Sequence, residues 1–135
     1  MGISTTINRF LGERLAASGR MAVVETTGRR SGQARRTPVG FAKGPGGEVW
    51  IGAGRAESHW PRNLLANPGC RVRIGREEHS YRAEELTGSE REHALAAIHA
   101  KYGERAARVG TGPVFVLRPA LSLAGGIEAG QSAVA

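Results

Sequence analysis

The sequence predicts one mainly β (α+β) domain, an antiparallel sheet or barrel carrying a few helices, and three observations support this. Strand-like segments outnumber helical ones and follow one another directly, which disfavours a parallel α/β sheet. Glycine-rich turns separate them. The 135 residues suffice for one hydrophobic core, burying roughly two thirds of the unfolded surface, and are too few for two ordinary domains. Residues 1–119 are expected to form this domain, and residues 120–135 a flexible C-terminal tail, small and polar after Pro119.

Ile3, Ile7, Phe10, Leu11 and Leu15 recur at helical spacing against Asn8, Arg9, Glu13 and Arg14, so residues 3–17 predict an amphipathic helix ending near Gly19. Its apolar stripe suits packing on the domain, and its basic face is also compatible with peripheral membrane contact. Residues 21–27 read as a strand, 28–33 as a turn and 35–43 as the returning strand, with Pro38 marking an edge position or a bulge. The turn at 44–47 leads to a third strand over 48–53. After a Gly/Ser loop at 54–58, residues 59–67 predict a short helix with Leu64 and Leu65 inward, stopped by Asn67-Pro68. Residues 70–75 and 79–86 form two more strands. Ser89 and Glu92 fit a capping box opening a helix with Leu95, Ile98 and Tyr102 on one face. Residues 113–117 make the last of about six strands.

Lys plus Arg number 19 against 12 Asp plus Glu, a net charge of +7, and only Lys43 and Lys101 are lysines. Arginine forks favour planar, bidentate contacts with anions, although GC-rich coding DNA would also enrich arginine. No apolar run approaches the roughly 18 residues of a membrane span, and the N-terminus does not read as a secretory signal. The expected location is cytoplasmic, with membrane association left to the amphipathic helix. A single cysteine, Cys70, excludes an internal disulfide framework and a zinc ribbon, and reads as a small strand residue. His59, His79, His93 and His99 show no metal-ligand spacing, so no metal is expected. With no aspartate, a Ser-His-Asp triad is excluded.

The densest chemistry lies over residues 26–38. Arg29, Arg30, Arg35 and Arg36 are interleaved with Gly28, Gly32, Thr27, Ser31 and Thr37. Glycines let a turn's backbone approach a ligand and aim N–H groups at it, and arginines then grip phosphate or carboxylate. Strand alternation puts Arg35 and Thr37 on one face and Arg36 on the other, which favours Arg35 as the ligand contact. The same residues would equally make an exposed hairpin of solvated arginines. No P-loop is present, because the segment leads into a strand and lacks the Gly-Lys-Ser/Thr ending. A second cluster runs through residues 58–68, where Trp60 could stack on a flat ligand beside Asn63, or simply anchor the helix to the core.

The run Glu25-Thr-Thr-Gly-Arg-Arg-Ser-Gly-Gln-Ala-Arg-Arg-Thr-Pro-Val39, followed by Trp60-Pro-Arg-Asn-Leu-Leu-Ala-Asn-Pro68, resembles the deazaflavin (coenzyme F-420)-dependent nitroreductase/quinone reductase family. These are small actinobacterial and related proteins with a split β-barrel. The resemblance covers roughly residues 7–119. It implies that Arg29, Arg30 and Ser31 cradle the cofactor's phosphate, and that Arg35 binds the phosphate or the acidic oligoglutamate tail. It places Thr37 and Pro38 along the deazaflavin ring, and His59, Trp60 and Asn63 on the helix that flanks the cofactor. The loop over residues 52–58 departs from the longer Ser/Asn-Gly-Gly stretch common in the family. Tyr102 alone stands in the region that holds acceptor-binding tyrosines in quinone-reducing relatives.

The expected function is therefore hydride transfer from reduced F-420 to a small electrophilic acceptor (a quinone, an enone or a nitro compound), with Tyr102 or Ser58 donating a hydrogen bond to it. The same fold could instead bind FMN, or serve as a non-redox isomerase or ligand carrier. A nucleic-acid-binding module fits the charge, but aromatics are only 5% and no stacking platform or recognition helix is evident, so no nucleic-acid partner is expected. Some barrels of this type pair, which makes a homodimer compatible with the sequence.

Overall fold

The computed structural model describes residues 19–55 and 58–120. The helix expected over 3–17 lies outside the described residues, as does the expected tail beyond Ala120. Seven strands form one antiparallel sheet: β1 (Ala22–Thr27), β2 (Ala34–Val39), β3 (Phe41–Lys43), β4 (Val49–Gly52), β5 (Gly69–Ile74), β6 (Glu77–Glu85) and β7 (Val114–Pro119). Two helices complete it, α1 (His59–Ala66) and α2 (Gly88–Tyr102). The architecture is mainly β and matches the expected split barrel.

The strand order is β2-β1-β5-β6-β7-β4-β3. Its two edges, β2 and β3, are joined in the chain by Gly40 alone. A one-residue link between opposite edges forces the sheet to curl onto itself. This corrects the single returning strand expected over 35–43 and raises the count to seven. The break occurs where the Tyr102 ring packs against the backbone: a Cβ on Gly40 would lie 3.2 Å from Cε2 of that ring. The Tyr102 hydroxyl donates to Arg20 O (2.6 Å) and accepts from Phe41 N (3.1 Å), so it ties α2 to the start of β3 and to the segment that leads into β1. Pro38 faces Val23 on the edge strand β2, where the missing N–H does least harm.

Alternation sorts the strand residues into two layers. Ala22, Val24, Val39, Phe41, Val49, Ile51, Val72, Phe115 and Leu117 fill the barrel interior, which α1 closes with Trp60 and Leu64. On the outside, Val114 and Val116 pack against Leu86, Ala94 and Leu95, while Ile98 meets Ala42 and Ala106. β7 is thus buried on both faces, and its unbroken Val-Phe-Val-Leu run follows from that.

Two local expectations are corrected. Leu64 is 1% exposed but Leu65 is 54% exposed, because successive helical residues lie about 100° apart and the buried face of α1 is made by Trp60, Pro61, Asn63 and Leu64. The Ser89/Glu92 capping box does not form. α2 begins two residues earlier, with Thr87 rather than Ser89 as its N-cap, and no side chain caps it. Its C-terminus stops at Gly103, whose φ of 62° suits glycine.

These contacts set two expectations for unfolding in urea. Leu64→Ala should cost about 2–5 kcal/mol and Leu65→Ala under about 0.5 kcal/mol. Tyr102→Phe should cost about 1–3 kcal/mol, because it strands the Phe41 N–H and the Arg20 carbonyl.

Candidate functional site

The β1–β2 turn and the start of α1 enclose a cleft of ≈ 750 Å³. The turn holds its own shape. Gly28 N–H donates to Gln33 O (2.7 Å), Gly32 N–H to Gly28 O (2.8 Å), and Gln33 N–H to Ser31 Oγ (3.1 Å). Gly32 takes a φ of +71°, and a Cβ on Gly28 would sit 2.5 Å from Ser31 Oγ. Both glycines are therefore required by the turn itself.

Asn63 joins this turn to α1. Its side chain is buried, and so is that of Thr26. Asn63 Nδ2 donates to Thr26 Oγ1 (3.2 Å), and Asn63 Oδ1 accepts from both the backbone N (3.2 Å) and Nη1 (2.9 Å) of Arg29. The double acceptance fixes which way the amide points. The Arg29 guanidinium is thereby placed on the cleft wall before any ligand arrives.

Arg29, Arg30, Arg35 and Arg36 all line the cleft, and no carboxylate does. Arg36 is neutralised from outside by Glu25 (3.1 Å) and Glu78 (3.6 Å). Hydrogen bonding from Arg71 comes first in holding the Glu78 carboxyl below its usual range, and the charge of Arg36 adds to it. Among the described residues, no carboxylate pairs with Arg29, Arg30 or Arg35. The cleft is thus a concentrated cationic surface of the kind that takes an anionic ligand.

Of the residues expected at a cofactor site, Arg29, Arg30, Ser31, Arg35, Thr37, His59, Trp60 and Asn63 line this cleft. Pro38 does not line it, being paired along β1 instead. Trp60 reaches the cleft from a largely buried position, its ring 5.9 Å from that of Phe115, so it serves as core anchor and cleft wall together. Ser58 is the N-cap of α1, makes no side-chain capping bond and is not part of the lining. Tyr102 is not brought to the cleft, since its hydroxyl is committed to Arg20 and Phe41. Thr26, Gly28, Ala34 and Arg36 also contribute to the wall. The inward alternation of β1 was the signal available for Thr26. Elsewhere, burial pushes the Cys70 thiol up to about 12, which makes it inert. No group of three or more His, Cys or Glu among the described residues could hold a metal ion.

Residues 4–119 match the family model of the F420H2-dependent quinone reductase. The chain belongs to that family. Among solved structures it resembles an F420-H2 dependent reductase (FDR-A) at 28% identity, covering 73% of this chain and 94% of that one, with a TM-score of 0.60. It also resembles a protein solved as a domain-swapped dimer, at 26% identity over 85% and 99% of the two chains, with a TM-score of 0.60. A heme binding protein from Mycobacterium smegmatis, 18% identical over 80% of this chain and 50% of that one (TM-score 0.62), shares the fold alone. No helix among the described residues is long and apolar enough to cross a membrane.

Asn63→Ala should destabilise the protein by about 1–3 kcal/mol, because the Thr26 hydroxyl and the Arg29 N–H lose their partner, as read by chemical denaturation. Glu78→Gln should flatten the acid limb of the stability profile. A carboxyl lowered in the folded state contributes stability above its unfolded pKa of about 4.3 and loses it as pH falls through the folded value. Since Glu78 is largely solvated, this slope should be shallow and should shrink further in salt.

Proposed function

We propose that this chain is an F-420-dependent oxidoreductase that reduces a small electrophilic acceptor (a quinone, an enone or a nitro compound). The observation that carries the reading is the carboxylate-free arginine cleft beside an aromatic wall. A deazaflavin cofactor is long, flat at one end and anionic at the other, and the cleft offers complementary surfaces in that order. Arg29, Arg30 and Ser31 would hold the phosphate, with Arg29 already oriented by Asn63. Arg35 would bind the phosphate or the acidic tail beyond it. Thr37, which shares a strand face with Arg35, would hydrogen-bond the edge of the ring, and Pro38 follows it along the same strand. Trp60 and His59 would close the other side.

When bound, the reduced deazaflavin supplies a hydride at a ring carbon. The chain's task is then to orient that ring, exclude water and present a donor to the acceptor oxygen as negative charge develops. Ser58, the N-cap residue before His59, carries an uncommitted hydroxyl but lies outside the cleft lining, so it would have to turn toward the acceptor to take that role. Tyr102 is already occupied and offers none. No covalent nucleophile is needed.

Arg35→Ala should weaken F-420 binding about tenfold or more while leaving the unfolding midpoint nearly unchanged, because the side chain is exposed and makes no internal ion pair among the described residues. Fluorescence titration with F-420 and, in parallel, FMN tests this. Equal affinity in mutant and wild type, or a preference for FMN, would overturn the assignment. Oxidation of reduced F-420 across quinones, enones and nitroarenes then identifies the acceptor class. The relative that forms a domain-swapped dimer suggests a homodimer here too. Sedimentation should then give twice the 14.3 kDa of one chain.

A further inference from the structure

A second cavity, of ≈ 200 Å³, opens between the β3–β4 turn and the β5–β6 hairpin. It lies at the other end of the barrel from the arginine cleft. Ile74 on its rim faces Ala22, whereas Thr26 of the cleft is four residues further along β1, about 14 Å away. We propose that this second mouth binds a small organic carboxylate with an apolar body. The inference is independent of the cofactor reading above.

The argument turns on which polar groups in the cavity are already satisfied. The two carboxylates there are engaged: Glu48 accepts from Arg118 (3.2 Å) and Glu77 faces His79 (3.1 Å). Lys43 and Tyr81 are not, for neither the Lys43 ammonium nor the Tyr81 hydroxyl meets an acceptor among the described residues. Tyr81 is only 8% exposed, yet its oxygen is not sealed without a partner, so it opens onto the cavity. The unmet capacity is thus one cation and one O–H donor, the pair that recognises a carboxylate.

A second lysine lies near Lys43. Lys101, the chain's other lysine, sits with its Nζ 3.3 Å from the centre of the Phe41 ring. Burial first, and then repulsion by Lys43, lowers the Lys101 ammonium below its ordinary range. A bound anion would relieve that repulsion. Burial, followed by Cys70 and Glu77, pushes the Tyr81 hydroxyl up, so it remains a donor. Val49, Val72 and Ile74 supply an apolar floor for the rest of the ligand. The volume equals roughly seven waters at about 30 Å³ each, which limits the ligand to about one ring or a short branched chain.

The test uses the full chain, labelled with nitrogen-15 and titrated with benzoate and with its neutral counterpart benzamide. Benzoate should shift the Gly44 and Gly47 amides saturably, and benzamide should bind about tenfold more weakly. Lys43→Met and Tyr81→Phe should each weaken benzoate by a similar factor, with the dispersed spectrum of each variant reporting an intact fold. The benzoate–benzamide comparison needs only wild-type protein, so it decides the matter even if a variant fails to fold. No saturable shift at those two amides, equal binding of benzamide, or unchanged benzoate affinity in either folded variant would overturn the proposal.

Discussion

The site rests on one buried amide. Asn63 joins helix α1, which carries it, to the β1–β2 hairpin at two points, strand β1 through Thr26 and the arginine turn through Arg29. Buried polar groups are costly unless they are paired, and here each of the three bonds pairs a group that would otherwise be stranded. The same interaction that docks the helix therefore also aims the first arginine. One side chain thus contributes both to docking α1 and to the orientation of Arg29 on the cleft wall.

The barrel depends on a second constraint, the single-residue link at Gly40. Because the sheet's two edges are neighbours in the chain, curling is imposed by connectivity rather than left to twist alone. Tyr102 holds that point from outside, and its hydroxyl is used up in doing so. A tyrosine that resembles an acceptor-site residue by position thus serves as a brace. The two ends of the barrel are left with different chemistries, an arginine-walled cleft at one and a small mouth with a lysine and a tyrosine at the other.

The charge pattern acquires meaning only when the arginines are separated by what faces them. Arg36 is balanced by Glu25 and Glu78, and Arg71 shares Glu78. Arg118 is held by Glu48 and Glu84. Arg30 and Arg35 face the cleft with no such partner among the described residues. The ion pairs cancel and add nothing to the net charge of +7, whereas Arg29, Arg30 and Arg35 gather part of it at the cleft. That part forms a short cationic wall with the chemistry to take an anionic ligand.

Local pattern was enough to read the strands apart from the division of β2 from β3, both described helices and the Gly-Arg-Arg-Ser-Gly turn, because period-2 and period-3.6 alternation and glycine punctuation are written residue by residue. Strand alternation also favoured Arg35 over Arg36, yet both line the cleft, and what separates them is the pairing of Arg36 with Glu25 and Glu78. What local pattern could not decide was every property that depends on a partner distant in the chain. The break at Gly40 is legible only beside Tyr102, which lies 62 positions later in the sequence. Asn63 reads as a ligand contact, and only the fold shows that it lines the cleft while also bonding Thr26 and Arg29. Leu65 looks inward until the barrel shows which face of α1 it covers. The sequence by itself determined the elements and the chemistry available at the cleft. Only the tertiary structure decided which of those groups are spent holding the fold and which remain for a ligand, since a side chain's free valence is set by its neighbours in space.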